Sequence, residues 1–128
     1  MAAKVFLITH DSLLAKAYGA RLRRTGFEVE HRSTGHEALA RARQWTPDLI
    51  LLDLALPGLH GLDVLKLLRD VPWLVKVPVV LLVDRTLNDD TRQECLLWGA
   101  NRVLEKDSCS VEEITEQLKN LLAIDNPA

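Results

Sequence analysis

Short apolar runs alternate with helical periodicity along the whole of this chain of 128 residues. Residues 5–8 form an apolar run of strand length. Leu13, Leu14, Ala17, Tyr18 and Leu22 then recur at helical spacing up to Gly26, a natural helix stop. Residues 27–31 alternate as a second strand. Thr34 and Glu37 form a capping box, which opens a helix with Ala38, Leu39, Ala42 and Trp45 facing inward until Pro47 stops it. Residues 48–53 form a continuous apolar strand that ends on Asp53.

The pattern continues with a helix over 62–68, a strand over 77–83, a helix over 89–98 ended by Gly99, and a strand over 102–105. Ser110 and Glu113 cap a last helix with Val111, Ile114, Leu118, Leu121 and Leu122 inward, and residues 125–128 read as a frayed tail. Five strand–helix units with short links predict an α/β fold, a parallel sheet covered by helices on both faces. One domain over residues 1–124 is expected, with no linker and no second domain.

Composition refines this only slightly. Hydrophobic residues make up 48% and charged residues 27%, which fits an ordinary globular protein. No apolar run reaches membrane-span length, and the residues before the first strand are too few for a signal peptide. Cys95 and Cys109 suit neither a disulfide framework nor a zinc site, so a cytoplasmic location is expected. The net charge of −2 lacks a nucleic-acid signature. It is divided unevenly: +4 over residues 1–46, where Arg21, Arg23, Arg24, Arg41 and Arg43 lie, and −6 over residues 47–128. A solvated helical face accounts for the basic half; an acidic partner is the alternative.

The candidate chemistry gathers around Asp53. In an open α/β sheet, ligands bind outside the carboxyl ends of the strands. A carboxylate there is a nucleophile, a metal ligand or both. From Pro47 to Arg69 the order is strand, Asp53, then Pro57, Gly58 and Gly61, then an amphipathic helix. This resembles the phosphoacceptor region of two-component response-regulator receiver domains, and the likeness covers nearly the whole chain. It implies a flavodoxin-like (βα)5 fold of strand order 2-1-3-4-5. It also implies Asp53 as phosphoacceptor and Lys106 as the lysine that pairs with the acceptor and then with the phosphoryl group. An ammonium so placed stabilises developing negative charge.

Other positions depart from the family. Receivers hold magnesium with the acceptor, an acidic pair after the first strand and a backbone carbonyl, which here would be that of Ala55. An ungapped match puts Thr9 and His10 where the acidic pair belongs, with Asp11 one position further on. A shift by one would place His10 and Asp11 there and needs a gap in the first helix. Mg²⁺ prefers hard oxygen ligands, so its binding, through Asp53, Ala55 and Asp11, is expected to be weak or absent. Val83 stands where the family has a Ser or Thr that binds the phosphoryl group, and Val103 where it has the switching Tyr or Phe. Asp84 replaces a small residue; it would repel a phosphoryl group or partly replace the lost acid. Asp107 replaces the proline after the lysine, so a trans peptide and a reshaped loop are expected.

The resemblance implies a histidine kinase or phosphotransfer protein as donor. It also implies a downstream protein, or a second copy, bound through the fourth helix, fifth strand and fifth helix, with no direct nucleic-acid or membrane contact. Cys95 to Trp98 are four consecutive apolar residues, so at least one points outward. Leu97 and Trp98 are either exposed anchors on that face or part of a repacked core; Trp73 reads as a packing residue. The loss of the acidic pair and the two switch residues leaves a second reading open, an interaction module that works without phosphorylation. A phosphatase of the haloacid-dehalogenase type is disfavoured, because Ala55 stands where its second Asp would be.

Overall fold

The structure is a computed structural model that describes residues 2–106 and 110–125. Its elements, in chain order, are β1 (Lys4–Ile8), α1 (Ser12–Arg24), β2 (Glu28–Arg32), α2 (Gly35–Ala42), β3 (Leu49–Asp53), α3 (Gly61–Arg69), a 3-10 turn (Pro72–Leu74), β4 (Val79–Val83), α4 (Asp89–Leu97), β5 (Arg102–Glu105) and α5 (Val111–Asp125). The strands form one parallel sheet of order β2-β1-β3-β4-β5. This is the fold class that the alternation predicts and the strand order that the resemblance implies.

The three central strands are apolar on both faces because both faces are covered. Phe6, Ile8, Ile50, Leu52, Val79 and Leu81 pack against α2, α3 and α4. Val5, Leu7, Leu49, Leu51, Val80 and Leu82 pack against α1 and α5. Successive strand residues thus serve opposite cores, as the two-residue repeat requires. Edge strand β2 has no fully buried residue. Its Glu30 forms an ion pair with Arg41, and this bond holds the Glu30 carboxyl below its ordinary range.

Local chemistry explains the helix starts. Thr34 Oγ1 accepts from Glu37 N at 3.2 Å and donates to Glu37 Oε1 at 2.9 Å, while Ser110 Oγ accepts from Glu113 N at 3.1 Å and Ser110 N donates to Glu113 Oε1 at 3.4 Å, so the capping box closes on the backbone at Ser110 and through the hydroxyl at Thr34. Several boundaries move. α2 stops at Ala42, and Trp45 lies beyond it, edge-on to Phe6 with ring centroids 5.4 Å apart. β4 begins at Val79 rather than 77, because Pro78 has no N–H to give the ladder. Leu13 points outward, and α1 buries Tyr18, Gly19 and Leu22 instead. Trp98 is the cap of α4 rather than its last turn. α5 runs through Asp125; the remainder of the expected tail, residues 126–128, lies outside the described residues. Cys95 is buried under α4, and burial, aided by nearby Glu94, pushes its thiol up.

Two contacts anchor the two ends of α3. At the carboxyl end of the sheet, Gly61 starts α3 directly against the end of β3. A Cβ there would stand 2.5 Å from Leu54 Cα and 2.8 Å from the Asp53 carbonyl oxygen. At the other end, the Arg69 guanidinium donates to the carbonyls of Leu74 (2.9 Å), Val75 (3.2 Å), Val77 (2.8 Å) and Gly99 (2.5 Å), and to Asn101 Oδ1 (3.3 Å). It ties the end of α3 to the entries of β4 and β5, and burial lowers its pKa.

Gly61→Ala should cost about 1–3 kcal/mol, because backbone rather than a flexible side chain must move; an unchanged urea midpoint would refute the close approach. Arg69→Lys keeps the charge but has no planar fork to span five acceptors, and should cost roughly 1–3 kcal/mol by the same measurement.

Candidate functional site

The ends of β1, β3 and β5 bring three side chains together. Asp53, the last residue of β3, is 2% exposed. Thr9 follows β1 and is fully buried; Lys106 follows β5 and is partly buried. Backbone pairing continues past the strands and fixes these positions. Thr9 N donates to the Arg32 carbonyl, Leu54 N to that of Leu82, and Lys106 N to that of Val83.

A carboxylate this buried needs donors. Asp53 Oδ1 accepts from Lys106 Nζ at 2.7 Å and from Ala55 N at 3.0 Å. Oδ2 accepts from Thr9 Oγ1 at 2.8 Å. Three donors occupy most of the roughly four lone-pair positions of an ionised carboxylate. Thr9 is itself fixed: its carbonyl accepts from His31 Nε2 at 2.8 Å, and its hydroxyl oxygen from Asp11 N at 3.2 Å. Asp53 and Lys106 carry one negative and one positive charge, so the pair is neutral.

Thr9 faces Asp53, whereas His10 is exposed. Asp11, expected as a metal ligand, is engaged at the start of α1. Its Oδ1 caps α1, accepting from Leu13 N at 3.0 Å and Leu14 N at 3.1 Å, which draws the carboxylate onto the helix start. Ala55 meets Asp53 through its N–H. Among the described residues no three His, Cys, Asp or Glu side chains converge to hold a metal ion. Of the oxygen ligands that magnesium prefers, the side chains around Asp53 offer one carboxylate and the Thr9 hydroxyl.

The rest of the pocket follows from the strand ends. Val83 is buried and Val103 half-buried, in the same core cluster. Asp84 is exposed and lines a shallow hollow of about 240 Å³ with Leu54, Ala55, His60, Thr86, Leu87 and Asn88. Asp107 and the peptide after Lys106 lie outside the described residues. Leu97 is 86% exposed and Trp98 42%. Trp98 does not turn toward β5 and α5: its ring lies 5.2 Å from Lys66 Nζ of α3. The direct Thr9–Asp53 bond and the His31 support were not read from the sequence. The only local sign of them was a hydroxyl residue in a position otherwise fit for an acid.

The response regulator receiver domain family matches residues 5–119. The polar-differentiation response regulator DivK of Brucella ovis is 30% identical over 122 residues, which is 95% of this chain and 98% of that protein. The gliding motility regulatory protein of Myxococcus xanthus is 32% identical over 116 residues, and this chain spans 15% of its length. Of the DNA-binding response regulator MtrA of Mycobacterium tuberculosis, 37% identical over 86 residues, it spans 36%. Among solved structures, the chemotaxis response regulator CheY4 of Vibrio cholerae superposes with a TM-score of 0.87 at 26% identity, covering 94% of this chain and 99% of that one. A response regulator of Chloroflexus aurantiacus gives 0.88 at 27%, covering 96% and 99%. The likeness runs from β1 into α5 and extends over nearly all of DivK, so the chain belongs to the response regulator receiver domain family, the signalling modules of two-component systems.

Proposed function

We propose that this chain is a receiver whose phosphoacceptor is Asp53 and whose metal site and switch are impaired. The observation that carries this reading is the buried Asp53 carboxylate at the end of β3 with Lys106 Nζ 2.7 Å away. Oδ1 is engaged by two N–H donors, so Oδ2 keeps a lone pair for attack. The donor is a phosphohistidine on a histidine-kinase or phosphotransfer partner in the cytoplasm. An Oδ2–P bond forms, the P–N bond breaks, and the imidazole leaves with the bonding pair. Thr9 Oγ1 must turn from Oδ2 as this happens, and Lys106 stays beside the growing charge.

With one carboxylate in the pocket, magnesium binding is weak. Coupling to a downstream protein is weak too. A switch needs contacts that differ between two states, and neither the Val83 nor the Val103 side chain can donate a hydrogen bond. The Thr9 hydroxyl already bound to Oδ2 favours a second reading, in which the chain keeps the receiver fold and binds its partner without phosphorylation.

Intact mass after incubation with acetyl phosphate decides between them. One added phosphoryl group, absent in Asp53→Asn, is expected under the first reading, with little dependence on Mg²⁺. No adduct at any Mg²⁺ concentration supports the second. Restoring acids should rebuild the metal site: Thr9→Asp with His10→Asp is expected to tighten Mg²⁺ binding at least about ten-fold by calorimetry. An unchanged titration would mean that carboxylates at these positions do not complete a metal site.

A further inference from the structure

Among the described residues, the side-chain hydroxyl bonded to Asp53 is that of Thr9, just past the end of β1. Thr9 is fully buried, and its Oγ1 donates to Oδ2 at 2.8 Å. The end of β4 offers no such donor, since the Val83 side chain has none. The bonds of Thr9 are unequal. Its carbonyl accepts from His31 Nε2 at 2.8 Å and its N–H donates to the Arg32 carbonyl at 3.1 Å, so the end of β2 holds its backbone. Its hydroxyl oxygen accepts from Asp11 N at 3.2 Å, the longest of these bonds. Asp11 in turn caps α1, accepting from Leu13 N and Leu14 N.

Resting on the reading of Asp53 as phosphoacceptor, we propose that Thr9 is the hydroxyl that binds the phosphoryl group and passes its arrival to the start of α1 through the Asp11 N–H. Phosphorylation turns Oδ2 from a carboxylate oxygen into a bridging ester oxygen, and its charge moves out to the phosphoryl oxygens. The Thr9 hydroxyl is too buried to bond water instead, so it follows the charge, because hydrogen bonds to ionised acceptors are the stronger ones. A phosphoryl oxygen lies next to Oδ2, so a turn of the Thr9 side chain reaches it while His31 and Arg32 keep the backbone in place. Oγ1 then draws away from Asp11 N, and the longest bond is the one that gives. The two bonded states of Thr9 supply contacts that differ between free and phosphorylated protein, as a switch requires. They leave the pocket toward α1, on the side of the sheet away from Val83 and Val103.

Intact mass and amide NMR on the same samples, with acetyl phosphate at one fixed Mg²⁺ concentration, test this. The Oδ2–P bond forms, the bond from phosphorus to the acetyl oxygen breaks, and acetate leaves with the electron pair. In the wild type, the Asp11 amide resonance should move as the adduct forms. In Thr9→Val it should start at a displaced position, having lost its acceptor, and move less on addition of acetyl phosphate. The half-life of the adduct, once acetyl phosphate is removed, should fall at least about five-fold in Thr9→Val, because the bound phosphoryl group loses a donor that holds it in the ground state. Thr9→Ser keeps the hydroxyl and should restore both the Asp11 movement and the half-life. A wild-type adduct with an unmoved Asp11 amide, a Thr9→Val adduct that lasts as long as the wild type or shifts Asp11 as far, or a Thr9→Ser protein that behaves like Thr9→Val would each overturn the proposal. No mass increase in the wild type would instead remove the phosphoacceptor reading, and this inference with it.

Discussion

A parallel sheet must be covered on both faces, and most of this molecule follows from that constraint. β1, β3 and β4 lie in the middle of the sheet and carry apolar side chains up to their carboxyl ends. Polar chemistry can enter only where the strands stop. The neighbouring ends of β1 and β3 therefore hold two of the buried polar residues, Thr9 and Asp53, and β5 leads into Lys106. Water is nearly excluded there, so the carboxylate is held by protein donors instead of solvent.

What surrounds Asp53 decides its character. A cluster of several carboxylates would repel itself and attract a divalent cation. Here a single carboxylate faces one ammonium, one backbone N–H and one hydroxyl, a neutral set that is satisfied as it stands. The Thr9 hydroxyl takes one of the lone pairs of Oδ2. Val83 and Val103 place apolar side chains behind the site.

The fold was legible because its signals are local. Helical spacing, capping boxes and apolar runs lie within a few residues of one another, and they gave the five units in order. The boundaries that moved also had local causes, such as Pro78 at the start of β4. The site was only partly legible. Asp53 and Lys106 stood out by resemblance, but the bond from Thr9 joins residues 44 apart in the chain, and no periodicity carries it. Arg69 was missed for the same reason, since its acceptors extend to Gly99 and Asn101. The role of Asp11 could have been found: an Asp two and three residues before the N–H groups it caps is a helix-start signal in its own right.

The three tryptophans of the chain are placed with a practical result. Trp45 lies beside the starts of β1 and β2, Trp73 donates to the Ala42 carbonyl at the end of α2, and Trp98 rests on α3. None belongs to the group of side chains around Asp53. The intrinsic fluorescence of this protein is therefore a reporter for the far end of the sheet: events at the carboxylate stay dark unless the protein transmits them across its own length.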